Sequence, residues 1–383
     1  MTRKLYEEDP AQLRFEATVL SCRAEGDGFR VVLDESAFFP EGGGQPADHG
    51  VLGGARVLDA QLEAGVIVHT TDAPLTPGCR VTGSIDGVRR RALSQLHTAE
   101  HIVSGLTCRC FGYHNVGFHM GEVVTMDFSG PLTQQDVLDL ERAANEAVWQ
   151  DIPVRCFVPA PEELAAQSYR SKKALTGPVR LVSIEGVDLC ACCGTHMPTT
   201  GAVGLILLLG VQRYKGGARV SMLAGDRALA HVSMLRAQVQ GAALRLSQQP
   251  SHLAEGVERL VAERDALRTQ LAQQAERQAL AGEQEAQGVR FALGDLTSAQ
   301  IAPIAGRLAI GARAALVLAP TGAGWDFALS STCLDVRAAT AALLTRFGGK
   351  GGGPSDMTRG RMASGSQEAI RAALMEALPS DAS

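Results

Sequence analysis

The chain has 383 residues, with 36 basic against 41 acidic side chains and a net charge of −5. That length allows about two to four domains. The charge balance excludes a global basic field, so nucleic acid would have to be held by local patches such as Arg89–Arg91, Arg170 with Lys172 and Lys173, Arg213 with Lys215 and Arg219, or Arg346 through Arg361. Nine cysteines are an odd and sparse set for a disulfide framework. The polar, acidic N-terminus has no apolar signal region, and the most apolar run, Ala202 to Val211, is too short to span a bilayer. A cytoplasmic protein with no membrane partner is expected.

From about Glu16 to Ser84, short β-branched runs are broken by glycine: Ala17–Cys22, Phe29–Leu33, Val51–Leu52, Ala55–Leu58, Gly65–Thr70 and Arg80–Ile85. This spacing predicts a small β-barrel over residues 1–87. A helix opens after Asp86-Gly87. A second runs from Gln134 to Gln150, with apolar spacing at Val137, Leu140, Ala144 and Val148, and stops before Pro153. Strands are expected near Val179–Ile184 and Ala202–Leu209, completing an α+β domain over 88–225.

Residues 226–288 are rich in Ala, Leu, Gln, Glu and Arg. Leu253, Val257, Leu260, Leu267 and Leu271 trace heptads with Arg264 in one core slot, and Pro250 splits the stretch. A helical hairpin linker is expected, with an intermolecular coiled coil as the other reading. Residues 289–383 alternate helix and strand as a small α/β domain, interrupted by Gly348-Gly-Lys-Gly-Gly-Gly-Pro354. The overall expectation is an α+β multidomain chain.

The chemistry concentrates in three motifs. His97 and His101 lie four apart, on one face of a helix, so one metal can meet both imidazoles. About ninety residues later comes Cys192-Cys-Gly-Thr-His196, a second pair of ligands at the same spacing. Imidazole and thiolate suit a tetrahedral Zn²⁺ at roughly 2.0–2.3 Å. Which of Cys190, Cys192 and Cys193 binds is ambiguous from chemistry, although the spacing to His196 favours Cys192. His97-Thr-Ala-Glu100-His101 also satisfies the H-x-x-E-H protease pattern, with Glu100 as base; the Cys192/His196 pair argues against it. The third motif, Glu41-Gly42-Gly43-Gly44-Gln45, offers glycine backbone N–H groups and an amide to a ligand.

Phe38-Phe-Pro-Glu-Gly-Gly-Gly-Gln-Pro-Ala-Asp48, Gln95-Leu-His-Thr-Ala-Glu-His101 and Cys192-Cys-Gly-Thr-His196, in this order, resemble the editing domain of alanyl-tRNA synthetase, and more closely the AlaX trans-editing proteins. Leu140–Asn145, Arg180–Asp188 and Gly216–Val220 agree. The glycine run resembles the C-terminal domain of the synthetase, so the likeness covers nearly the whole chain and points to the long form of AlaX. No aminoacylation domain is expected before the barrel, and Asp48-His49-Gly50 is not an Asp-His-His motif.

The resemblance implies a zinc-dependent hydrolase that deacylates tRNA(Ala) mischarged with serine, or with glycine. It implies His97, His101, Cys192 and His196 as metal ligands. Ser36, Gln45 and Glu41 are then the catalytic candidates, with Gly42, Gly43, Gly44 and Arg180 in substrate binding. Ser36 stands where the family has a threonine associated with reading the serine hydroxyl, and Phe39 where tyrosine is commoner. The segment after the glycine run, Met357-Thr-Arg-Gly-Arg-Met362, is looser than the family pattern. The C-terminal domain is expected to bind tRNA or to dimerise, and a homodimer could form through it or the helical linker. A zinc-stabilised tRNA-binding module without hydrolysis, and an editing enzyme for another mischarged tRNA, remain as alternatives.

Overall fold

The computed structural model describes residues 1–171, 177–322 and 324–379. Lys172 and Lys173, part of one basic patch, lie outside the described residues. The α+β, multidomain character expected from the sequence is present, and the chain divides into two compact units, Met1–Gln238 and Val239–Ser383.

The first unit begins with a closed barrel whose strands run Arg14–Glu25, Gly28–Leu33, Val66–Thr71, Ala55–Glu63, Gly50–Leu52 and Arg80–Ile85 in spatial order. Alternate side chains point inward, so Phe15, Ala17, Val19, Val31, Leu33, Leu52 and Val57 fill the interior. The helix Gly87–Phe111 follows. Its start is capped by the Asp86 carboxylate, which accepts from the N–H groups of Val88 and Arg89, and it ends on Gly112 at φ +70°. Nearly every residue from Leu93 to Thr107 is buried, so the helix is enclosed on all sides rather than amphipathic.

Its neighbours are a four-stranded antiparallel sheet, ordered Ile206–Tyr214, Gly217–Ala224, Val124–Phe128 and Asn115–Met120, and the Gln134–Trp149 helix, begun by a Thr133/Asp136 capping box. A three-stranded sheet, Val154–Phe157, Leu181–Ile184 and Asp188–Ala191, leads into the cysteine-rich loop. Residues Gly201–Val203 form a short 3-10 turn, so the apolar run becomes strand only at Ile206.

The expected division after residue 87 falls inside this unit. Arg90, only 3% exposed, reaches back from the helix to the fully buried Asp48 carboxylate and donates to the carbonyls of Pro10 (2.7 Å) and Ala37 (2.6 Å). Arg89 donates twice to the Ala47 carbonyl. The Asp48 carboxylate also accepts the Phe39 N–H at 2.7 Å. Barrel, glycine loop and helix are thus tied through one buried ion pair.

In the second unit the order across the sheet is Gln284–Ala286, Val289–Leu293, Ala314–Thr321, Gly324–Ser330, Met357–Met362 and Gly349–Gly352. Alternation separates its faces. Leu316, Leu318, Phe327 and Leu329 pack with helices Arg337–Phe347 and Gln367–Ala377, while Ala315, Val317 and Ala328 pack with helix Ser298–Leu308. The boundary between units falls within helix Gly225–Arg245, and helix Leu253–Ala281 follows the break at Pro250. Arg264, given a core slot by the heptad trace, is exposed. The glycine run is an edge strand. Gly349 sits at φ +125°, where an added Cβ would lie 2.0 Å from the Arg361 carbonyl oxygen, so glycine here permits close strand approach.

Asp48→Ala leaves a buried guanidinium without its counter-charge, and is expected to lower stability by about 3–5 kcal/mol in urea unfolding. A loss below about 1 kcal/mol would show that the pair does not tie barrel to helix.

Candidate metal centre

The helix Gly87–Phe111 puts His97 and His101 one turn apart, and the strand Asp188–Ala191 delivers the loop that carries Cys192 and His196. The donor atoms of these four side chains all lie within 4.8 Å of one another, with the three imidazoles buried and Cys192 half-buried. Cys190, by contrast, lies with His101 and Asp188, and Cys193 is exposed with Sγ beside Gly42 and Gly43. The ambiguity among the thiols resolves to Cys192 as the member of the four-residue set.

Each imidazole is fixed by its outer nitrogen. His97 Nδ1 faces Gln45 Oε1 at 2.7 Å, His101 Nδ1 faces Asp188 Oδ2 at 2.8 Å, and His196 Nδ1 faces Thr98 Oγ1 at 3.5 Å. Because amide and carboxylate oxygens only accept, His97 and His101 carry hydrogen on Nδ1 and turn Nε2 inward. His97 Nε2 lies 3.3 Å from Cys192 Sγ. His196 Nε2 is buried with no hydrogen-bond partner. An orphaned buried nitrogen amid two further imidazoles and a thiol is what a metal ligand looks like without its ion.

The electrostatics agree. Burial opposes the Cys192 thiolate but is outweighed by His97 and His196, so its pKa falls well below the ordinary thiol range. Burial also opposes charge on His101, yet the bond to Asp188 and the nearby Cys192 raise it well above normal. His196 is pushed down to about 3 by burial, against the pull of Cys192. A cation bound at Nε2 takes the place of a proton there, because a ligand must present its lone pair.

The ligand loop has its own supports. Arg180 Nη1 donates to the carbonyls of Cys192 (2.9 Å) and Gly194 (3.1 Å), so this residue, expected in substrate binding, shapes the loop. A Cβ at Gly194 would lie 2.2 Å from His97 Cε1. Thr195 Oγ1 meets Ser94 Oγ (2.8 Å) and the Gln45 amide (2.9 Å).

The remaining expected site residues are placed as follows. Gln45 is fully buried, and its amide is engaged by His97 and Thr195. The N–H of Gly42 is spent on the Gln45 carbonyl, while Gly43 and Gly44 adopt positive φ, and a Cβ on Gly44 would strike Phe118. Glu41 is exposed, and its carboxylate accepts from Gln61 at 3.2 Å. Ser36 is buried, with Oγ 2.8 Å from His69 Nε2 and accepting from the Phe38 N–H at 3.1 Å. Glu100 is buried beside the ligands, where Oε1 accepts from Ser104 and Asn115. His69 carries no motif, while Thr98, Asp188 and Arg170 lay within stretches already singled out, the Gln95–His101 motif, the Arg180–Asp188 likeness and a basic patch, without a role at the site.

Residues 179–222 match the family model described as the threonyl and alanyl tRNA synthetase second additional domain, which takes in Cys192 and His196. Among curated relatives, the alanine–tRNA ligase of Ignicoccus hospitalis is 33% identical over 273 residues, covering 68% of this chain and 30% of the ligase. That of Natronomonas pharaonis is 38% identical over 246 residues, 60% of the chain and 26% of the ligase. That of Pyrobaculum calidifontis is 33% identical over 404 positions, 98% of the chain and 44% of the ligase. The chain therefore spans less than half the length of the curated relatives it matches. Among the described residues, no helix is long and apolar enough to cross a membrane.

Two measurements probe the site's packing. Gly194→Ala should displace His97 and lower bound metal by at least about tenfold in chelator competition; unchanged affinity would mean that the loop relaxes freely. His69 is the second. Burial holds its pKa at about 4, against an ordinary 6.5, so between those values the unfolded chain takes up the proton first. Stability should therefore fall as pH drops from 6.5 to 4, by on the order of 3 kcal/mol from this group. His69→Gln should flatten that part of the stability–pH curve, and an unchanged slope would contradict the buried neutral imidazole.

Proposed function

We propose that this chain, which is similar to alanine–tRNA ligases, is a zinc-dependent aminoacyl-tRNA deacylase acting on tRNA(Ala) mischarged with serine, with glycine as the second substrate. The observation that carries the reading is the set His97, His101, Cys192 and His196, with its orphaned His196 Nε2, in a chain similar over 98% of its length to an alanine–tRNA ligase.

The reaction is hydrolysis of the ester between amino acid and tRNA: water adds to the carbonyl, and the ribose hydroxyl leaves. An aminoacylation pocket that rejects a near-isostere by only about 10²-fold needs such a second site. Bound Zn²⁺ would supply a Lewis acid or a cationic anchor for the aminoacyl end. The protein's own part is to hold the three imidazoles through Gln45, Asp188 and Thr98, and to discriminate serine from alanine.

Ser36 is suited to that discrimination. His69 Nδ1 faces the Val31 carbonyl at 3.1 Å, which leaves Nε2 as an acceptor and makes Ser36 the donor to it. The Phe38 N–H takes one lone pair of the Ser36 oxygen, and the other can accept from a substrate hydroxyl. Alanine has nothing to donate. Gln45 acts instead as the orienter of His97.

A second reading rests on one specific observation: four donor side chains gather within 4.8 Å of one another, and four protein ligands would close the shell of a tetrahedral ion, as in structural zinc sites. It makes the protein a tRNA-binding module without hydrolysis. A deacylation panel of tRNA(Ala) charged with Ser, Gly or Ala, with Ser-tRNA(Ser) as control, separates the two. Rapid loss of serine from tRNA(Ala) alone supports the deacylase, and no turnover in the presence of stoichiometric zinc supports the module. Ser36→Ala should narrow the Ser/Ala ratio several-fold, the worth of about 1 kcal/mol for one neutral hydrogen bond. An unchanged ratio removes Ser36 from serine recognition.

Exposed Lys350 and Arg359, on paired strands at the sheet edge, are the proposed tRNA contacts of the second unit. Replacing both with alanine should weaken tRNA binding and reduce its log–log salt slope by about 1.5. An unchanged slope with altered sedimentation would assign this edge to homodimer formation.

A further inference from the structure

His101 faces two clusters. Its Nε2 belongs to the four-ligand set, while Nδ1 meets Asp188, and His101, Asp188 and Cys190 together form a second buried group with donor atoms within 4.8 Å. Strand alternation explains the meeting, since Asp188, Cys190 and Cys192 are spaced by two along one extended segment and project to one side. A buried carboxylate beside an imidazole and a thiol calls for a positive charge.

Arg170 supplies it. Its Nε and Nη2 donate to Asp188 Oδ1 and Oδ2 at 2.7 and 2.8 Å, a bidentate fork that engages both oxygens. The Asp188 side chain is 1% exposed and that of Arg170 14%. The Arg170 backbone is anchored to the same strand, its N–H donating to the Leu189 carbonyl (2.8 Å) and its carbonyl accepting from Ala191 (2.9 Å). The fork therefore fixes the Asp188 plane, and that plane fixes the His101 ring. Beyond it, Arg170 lines an open cavity of about 430 Å³ with Cys108, His114 and Tyr169.

We propose that Arg170 is a positioning residue of the metal centre, acting through Asp188 on His101 from outside the ligand set. The inference rests on the ligand assignment above but not on deacylation. Outer partners of ligating histidines are worth about 10–100-fold in metal affinity. A lysine offers a point charge without the planar fork and should restore only part of this.

The test uses the full chain, with zinc affinity measured by chelator competition and the visible spectrum of the Co²⁺-substituted protein. Arg170→Met and Asp188→Asn should each weaken zinc about 10–100-fold and alter the Co²⁺ bands, with Arg170→Lys intermediate. Because Arg170 acts through Asp188, the double variant should lose no more than Asp188→Asn alone. Additive losses, or wild-type affinity and spectrum in Arg170→Met, overturn the proposal. Should Arg170→Met fail to fold, Arg170→Ala supplied with guanidinium ion, which can enter through the cavity, gives the same answer: recovered affinity supports the fork, and none overturns it. A wild-type chain that binds no zinc sinks the ligand assignment itself, whereas zinc binding without deacylation sinks only the proposed activity.

Discussion

Everything in the first unit answers to one constraint: three imidazoles and a thiol are packed inside a core that offers them little water. Each buried nitrogen must have a partner, because an unsatisfied one costs about 1–3 kcal/mol. Gln45, Asp188 and Thr98 take the outer nitrogens, which fixes two tautomers and turns the lone pairs of His97 and His101 onto one point. What remains unsatisfied, His196 Nε2, lies in the set that suits a cation. The enclosed helix, the glycine at 194 and the Arg180 clamp all follow from holding that geometry without room to spare.

The same constraint explains why barrel and helix form one unit. Gln45 belongs to the glycine loop of the barrel, but its amide is needed at His97. That loop has to be registered against the helix, and the buried Arg90–Asp48 pair does it, with Arg89 on Ala47 alongside. A buried ion pair is weak as a source of net stability but strong as a device of registry, since neither partner tolerates loss of the other. The glycine motif is thereby tied directly to the His/Cys cluster.

Relationship to the alanine–tRNA ligases gives this arrangement its context without identifying a reaction, since the chain matches less than half of those proteins. Chemistry narrows it. The proposed discrimination of serine from alanine rests on the buried Ser36 hydroxyl beside His69 and on a His/Cys cluster bonded to the glycine loop. In the second unit, exposed Lys350 lies on the edge strand and exposed Arg359 on the strand it pairs with, a close approach that glycine permits.

Much of this was legible in the sequence. The strands from Arg14 to Ile85, the helix after Asp86 and the two His/Cys pairs that gather in the fold are local signals, carried by alternation, capping and four-residue spacing. Alternation also sketched the sheet-and-helix rhythm of the second unit. What only tertiary structure decided was which polar groups meet. Asp188 lay in a matching stretch and Arg170 in a basic patch, but nothing local told that one strand brings them behind His101. Gln45 was expected as a catalytic candidate and Arg180 in substrate binding; a sequence shows their donors and acceptors but not the partners, His97 and the Cys192–Gly194 loop, that engage them in the fold. The strands Asn115–Met120, Val124–Phe128 and Gly217–Ala224 went unread for a related reason: two local hairpins become one sheet only where Val124–Phe128 pairs with Gly217–Ala224, and strand identity is settled by such partners rather than by local preference. Local order is written in neighbouring residues, whereas hydrogen-bond satisfaction in a core is a property of the whole fold.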